Sequence, residues 1–274
     1  MTATAITEAG AGPAADTVLS LRGVAKTFTL HLRGGTVLPV LADAGFDLAE
    51  GECLLLAGPS GAGKSSLLKM IYGNYRAAAG SIRLRHDGAM VDIAAAGPRQ
   101  VLEIRRRTLG YVSQFLRVIP RVPVLDVVAE PALAFGLGAE AAQARARDLL
   151  HALHLPERLW SLPPATFSGG EQQRVNIARG LAAPYPVLLL DEPTASLDAE
   201  NRAAVVALLQ DALDRGAAMV AIVHDDAALG GLPVRRLDVT GFAGGHEAGG
   251  HEAGGHESAT DLQQKRQVPV IDGH

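Results

Sequence analysis

Gly58 to Ser65, GPSGAGKS, sets glycines, a lysine and a hydroxyl at the spacing G-x-x-x-x-G-K-[ST]. An apolar run, CLLLA, precedes it and a helical pattern follows. In that context the glycines let backbone N–H groups wrap a phosphate chain, Lys64 reaches the β- and γ-phosphates, and Ser65 offers its hydroxyl to Mg²⁺. The expected cradle is Gly58, Pro59, Ser60, Gly61, Ala62, Gly63, Lys64, Ser65 and Ser66. A second chemical signal is VLLLDEP, Val187 to Pro193, an apolar run that ends in two acids. Alone it reads as a loop acid pair. Beside a phosphate cradle, Asp191 suits the Mg²⁺ shell, and Glu192 is placed to orient or deprotonate an attacking water.

Three weaker signals share the same logic. His224 follows the apolar run of AIVHD, and Gln114 follows the strand-like run in GYVSQF. An exposed loop histidine is the default for the first. At the carboxyl edge of a parallel sheet, however, both would stand on the rim where ligands bind. The stretch TFSGGEQQR, Thr166 to Arg174, puts a hydroxyl, two glycines and an acid at a helix start. Free N–H groups and the helix dipole make such a start an anion site, the second in this chain.

The elements that would position these residues alternate between short apolar runs and longer amphipathic ones, which implies an α/β fold with a parallel sheet. VLSLRGVAKTFTLHLRGGTVLPVL reads instead as two or three β segments around a Gly34-Gly35 turn, an antiparallel region ahead of the sheet core. Strands are expected at 53–57, 81–84, 109–112, 187–190 and 218–223. Helices are expected from Lys64 to Ile71, over 139–153, over 169–181 and over 200–213. The chain divides into an unstructured segment at 1–16, a domain at 17–241 with a helical subdomain near 115–182, and a Gly/His/Glu-rich tail at 242–274. GGHEA, GGHEA and GGHES in that tail read as solvated, with a weak metal site as the alternative.

Composition narrows the classes. Hydrophobic residues make up 48% and charged residues 20% of 274, as in a globular protein. A net charge of −4 gives a nucleic-acid partner no electrostatic footprint, and Arg105-Arg106-Arg107 reads as a solvated helix face. The one cysteine, Cys53, allows no internal disulfide and reads as a buried strand residue. No signal peptide is evident and no apolar run reaches membrane-spanning length, so a cytoplasmic location without direct membrane insertion is expected.

Gly58 to Ser65, Gln114, Ser168-Gly169-Gly170, Asp191-Glu192, Ser196-Leu197-Asp198 and His224 occur in this order. Over about Val18 to Leu237 the chain therefore resembles the ATP-binding cassette ATPases, P-loop proteins with a parallel sheet core, an antiparallel β subdomain and a helical subdomain. The resemblance implies ATP and Mg²⁺ as cofactors and ATP hydrolysis as the activity. Glu192, His224 and Gln114 would be catalytic, and Ser65, Gln114 and Asp191 would face Mg²⁺. Phe28 would stack on adenine. It further implies a head-to-tail pair of cassettes, a homodimer or a pair with a related chain. There Ser168, Gly169, Gly170 and Glu171 serve the partner's ATP and Asp198 crosses the seam. Two positions depart from the usual pattern: Glu171 stands where glutamine is usual, and Phe28 where tyrosine is. Glu171 adds charge beside a triphosphate and would tune closure.

GYVSQFLRVIPRV, NYRAAAGSI, LPERLWSLPPATFSGGEQQRVNIARG and YPVLLLDEPTASLDA are similar, more narrowly, to the L-subunit family (PhnL) of the carbon–phosphorus lyase system. That resemblance implies phosphonate catabolism and a soluble lyase core complex as partner. The alternative is the nucleotide-binding subunit of a membrane transporter of the lipoprotein-release or efflux type. Gln114 to Leu137 is the stretch that would separate the two.

Overall fold

Val187–Asp191 and Ala218–Ile222 are buried at every position. Runs of this kind belong in the middle of a parallel sheet covered on both faces. The computed structural model describes residues 16–30, 35–116 and 120–244. In it these runs, β7 and β8, stand at the centre of a five-stranded parallel sheet. Its other strands are β3 (Cys53–Ala57), β6 (Leu109–Val112) and β9 (Val234–Asp238), and the order is β6-β7-β8-β3-β9.

Because successive strand residues point to opposite faces, the sheet separates two cores. Leu54, Leu56, Leu189 and Val220 join Leu67, Leu68 and Ile71 of α1 (Lys64–Ile71) and Ile104 of α2 (Pro98–Arg107) on one side. Cys53, Leu55, Leu188, Leu190 and Met219 face the other. That second core holds residues of α3 (Val124–Phe135), α4 (Ala139–Ala152), α5 (Gly169–Leu181) and α6 (Ala199–Asp214). Burial pushes the Cys53 thiol up to about 11, as expected of a thiol used for packing.

The antiparallel part differs from expectation. β1 (Thr17–Leu30) and β2 (Thr36–Ala49) pair as foreseen, yet their sheet also takes β4 (Ala79–His86) and β5 (Ala89–Asp92), in the order β2-β1-β4-β5. The segment around Ser81–Leu84 therefore belongs to this sheet and not to the parallel core. β1 has two bonding edges, and β2 fills only one. β9 was not foreseen because VRRLD is polar and largely exposed, as an edge strand permits.

The arginines 105–107 do not form a merely solvated face. Arg105 donates to the carbonyl of Tyr72 (2.9 Å) and to Asn74 (2.8 Å), Arg106 donates to the carbonyl of Ala134, and Arg107 pairs with Asp87 at 3.5 Å. Phe242 packs against the first core and Ala243 bridges to Leu41, so ordered chain continues past the boundary expected at 241. The GGHEA repeats from 245 onward, and 1–15, lie outside the described residues.

Candidate functional site

Every motif of the sequence reading except the signature follows the carboxyl end of a parallel strand. Gly58 follows β3, Gln114 follows β6, Glu192 follows β7 and His224 follows β8. The strands run parallel, so all four loops emerge at one edge, which is where ligands sit in sheets of this kind. A cleft of about 380 Å³ opens there, lined by Phe28, Leu38, Val40, Ser60 to Ser66 in part, Glu192 and His224. A larger cavity of about 560 Å³ lies at the opposite edge, among Arg85, Thr108, Arg145, Tyr185 and Pro186, and none of the motif residues lines it.

The cradle itself is built on backbone that only glycine adopts readily. Gly58, Gly61 and Gly63 have φ of 134°, 84° and 94°. A Cβ on Gly63 would in addition lie 2.9 Å from Leu41 Cδ2, so the loop and β2 touch there. Helix α1 then starts with no side-chain cap, and its first N–H groups are left to a ligand. Lys64 Nζ donates to the carbonyls of Gly58 (2.5 Å) and Pro59 (2.9 Å), lying along the loop it would share with phosphates.

Asp191 is 5% exposed and ends β7. Its Oδ1 accepts from Ser65 Oγ at 3.4 Å and its Oδ2 from the Tyr111 hydroxyl at 3.1 Å. Burial pushes its carboxyl up from the usual range, and the Tyr111 hydrogen bond works against that shift. Sequence reasoning passed over Tyr111. It sits in GYVSQF beside the residues singled out, but its contact spans 80 positions, and no local spacing signals it.

Glu192 is the point of convergence. Its Oε1 lies 2.9 Å from His224 Nε2, and its Oε2 accepts from Gln114 Nε2 at 2.9 Å. Its backbone is left-handed at φ 55°, and its N–H donates to the carbonyl of Ile222 on β8 at 2.9 Å. The three residues proposed as catalytic are thus one hydrogen-bonded group at the mouth of the cleft.

A magnesium ion needs little more from the protein than one or two oxygens, because it retains waters and takes phosphate ligands. Among the described residues no cluster of three or more His, Cys, Asp or Glu could form an all-protein cage. The hydroxyl of Ser65 beside the buried carboxylate of Asp191 fits the sparse kind of site.

Phe28 lies on the cleft wall, edge-on to Tyr75 with centroids 5.5 Å apart and with Lys26 Nζ 4.7 Å from its own centroid. The signature segment lies off this cleft: no residue from 167 to 171 lines it, and Gly169 instead shares a smaller pocket of about 150 Å³ with Gln114 and Glu192. Ser168 is the N-cap of α5, and Glu171 closes a capping box with it. The Ser168 N–H (2.9 Å) and Oγ–H (2.7 Å) both donate to Glu171 Oε2, and the Glu171 N–H donates back to Ser168 Oγ at 3.3 Å. These bonds hold the Glu171 carboxyl below the ordinary glutamate range. The spacing S-x-x-E was the available signal for this box. A Cβ on Gly170 would stand 3.3 Å from the carbonyl of Ser196, whereas Gly169 faces open space. Asp198 caps α6: its carboxylate accepts from the Asn201 N–H (2.8 Å) and from the Asn201 amide, bonds that hold it low.

Residues 41–195 match the family described as ABC transporter. The lipoprotein-releasing system ATP-binding protein LolD of Maricaulis maris is 40% identical over 233 residues, covering 84% of this chain and 96% of that protein. The macrolide export ATP-binding/permease protein MacB 1/2 of Paracoccus denitrificans is 37% identical, but the match covers 76% of this chain and only 30% of that protein. A solved structure of the ATP-binding cassette MJ0796, a dimer in a post-hydrolysis state with ADP and Pi, superposes with a TM-score of 0.72 at 29% identity. The match covers 81% of this chain and 95% of that one. With its P-loop cleft, its α/β fold of one parallel and one antiparallel sheet, and these relatives, the chain belongs to the ABC transporter family as an ATP-hydrolysing cassette.

Proposed function

We propose that this cassette hydrolyses ATP in a head-to-tail pair and uses the closing of that pair to drive a membrane permease. The observation that carries the catalytic part is the Gln114–Glu192–His224 group at the mouth of the P-loop cleft. Phe28 stacks on the adenine, and the N–H groups of Gly58 to Ser66 cradle the phosphates. Lys64 leaves the loop carbonyls to neutralise the β- and γ-phosphates. Ser65, Asp191 and Gln114 would hold Mg²⁺, which when bound supplies positive charge to the phosphate oxygens. Glu192 Oε1 or Oε2 accepts the proton of the attacking water, with His224 and Gln114 fixing the direction of the carboxylate.

The second half of the site comes from another chain. Ser168, Gly169 and Gly170 lie outside their own chain's cleft on a helix start, which suits a role toward a partner's γ-phosphate. The MJ0796 cassette, similar along 81% of this chain, is a dimer, and that supports the pairing.

The permease as partner rests on the relatives named above, a lipoprotein-releasing and a macrolide-export protein. They support the transporter reading over the carbon–phosphorus lyase reading that the sequence had favoured. Among the described residues no helix is long and apolar enough to cross a membrane. The lyase reading retains one specific support, the resemblance carried by Gln114 to Val122. Phe115 in that stretch is 71% exposed, a surface open to either partner.

Affinity capture decides between them. The Glu192→Gln chain, loaded with ATP in its own host, should retain an integral membrane permease. Recovery of soluble phosphonate-lyase subunits instead would overturn the transporter reading and establish the second.

A further inference from the structure

Helix α5 presents its first turn outward, but its second turn is fastened inward to this chain's own catalytic loops. Gln173 is 6% exposed, and its Nε2 donates to the carbonyls of Pro193 (2.9 Å) and Glu192 (3.3 Å). Asn176, one turn on and 3% exposed, donates from Nδ2 to the carbonyl of Ser113, the residue before Gln114. Positions three apart share a helix face, so a single face of α5 grips both loops. Arg174 adds a third tie, from Nη1 to Asn201 Oδ1 at 3.2 Å, and Asn201 in turn holds the carboxylate of Asp198.

These ties act where the backbone needs them. A left-handed glutamate is held only when its surroundings over-determine it, and Glu192 has φ 55°. Its N–H is bound by Ile222 and its carbonyl by Gln173. Helix α5 can seat this close to β6 because residue 180 is glycine: a Cβ there would stand 2.3 Å from Val112 Cγ2. Buried amides are ordinarily satisfied by some partner. Here all three partners, the carbonyls of Glu192, Pro193 and Ser113, lie at or next to the residues that would handle water and γ-phosphate.

We infer that Gln173 and Asn176 are positioning residues for Glu192 and Gln114, and that α5 thereby couples the site it completes on the partner to the site in its own chain. The inference rests on the head-to-tail reading above. When the first turn of α5 meets the partner's nucleotide, any shift of the helix is delivered through Glu192 and Ser113, 19 and 63 positions in sequence from Gln173 and Asn176 but bonded to them in space.

The test uses the full chain with Gln173→Met, close in volume and without a donor, and with Asn176→Ala. In each variant kcat should fall by roughly 10- to 100-fold while KM for ATP stays within about twofold, the pattern of misplaced groups and intact binding. Combined with Glu192→Gln, each should still form the ATP-dependent dimer, because the first turn of α5 is untouched. A lowered Tm with unchanged kcat would mean the amides merely satisfy the fold, and would overturn the inference. Absence of any ATP-dependent dimer in Glu192→Gln alone would instead remove the head-to-tail reading. Hydrogen exchange on the unmodified chain needs no variant to fold. Along an ATP titration, protection of 169–176, 113–116 and 191–196 should rise with one midpoint, and separate midpoints would contradict the coupling.

Discussion

The chain contains two glycine- and serine-bearing helix starts, and they are finished in opposite ways. Helix α1 begins at Lys64 behind a left-handed Gly63 and has no side-chain cap, so its N–H groups await an anion from outside. Helix α5 begins behind Ser168 and carries a capping box, in which the Glu171 carboxylate accepts from the Ser168 N–H and Ser168 Oγ accepts from the Glu171 N–H. The first start lines a cleft with Phe28, Glu192 and His224, and the second does not. A helix N-terminus is an anion site only to the extent that it is left unsatisfied. By that criterion α1 is the start we propose as this chain's nucleotide cradle. For α5 to serve a nucleotide, the Ser168 hydroxyl has to exchange Glu171 for a phosphate oxygen.

The two ends should therefore fail differently when altered. Lys64→Ala removes the charge aimed at the β- and γ-phosphates, and turnover should fall by at least about 100-fold, read as phosphate release. Activity near that of the unaltered chain would break the assignment of α1. Glu192→Gln should bind ATP normally and lower kcat by about 100-fold, with nucleotide binding followed by a fluorescent analogue.

At the other end, Glu171→Gln keeps a side chain that can close the same box but removes a negative charge from beside the triphosphate. The ATP concentration needed for dimer formation should drop roughly two- to fivefold, the range of a single charge at a helix start. No change would show that Glu171 faces away from the seam. The smallest effect expected is in stability. The Glu171 carboxyl is held below its ordinary value, so its share of stability is present above the unfolded pKa and is lost as pH falls through the lower folded one. The Tm advantage of the unaltered chain over Glu171→Gln, about 1–2 °C for so exposed a group, should therefore vanish at acid pH.

Much of this contrast is legible in the sequence. The glycine spacing of GPSGAGKS, the acids closing VLLLDEP and the run of buried strands are local patterns, and local patterns carry elements such as β6 and α5 residue by residue. The rest is less plain in the sequence, for physical reasons. β9 is a polar edge strand, with no periodicity to mark it. Tyr111 meets Asp191, and Gln173 meets Pro193, only through the tertiary fold. The Ser168–Glu171 box is written in the sequence as S-x-x-E, but the spacing alone does not tell a glutamate bonded to the hydroxyl three residues before it from one facing a partner's phosphate. The partner also lay beyond local pattern, since motifs that bind ATP are indifferent to what the closing drives.

The central claim is that Ser168 and its neighbours complete a nucleotide site on another chain. Sedimentation of the Glu192→Gln chain with ATP tests it most directly. The account predicts a dimer with ATP, a monomer without it, and a monomer in ATP once Ser168→Arg is added. A chain that remains monomeric with saturating ATP, or a dimer indifferent to Ser168→Arg, would contradict it.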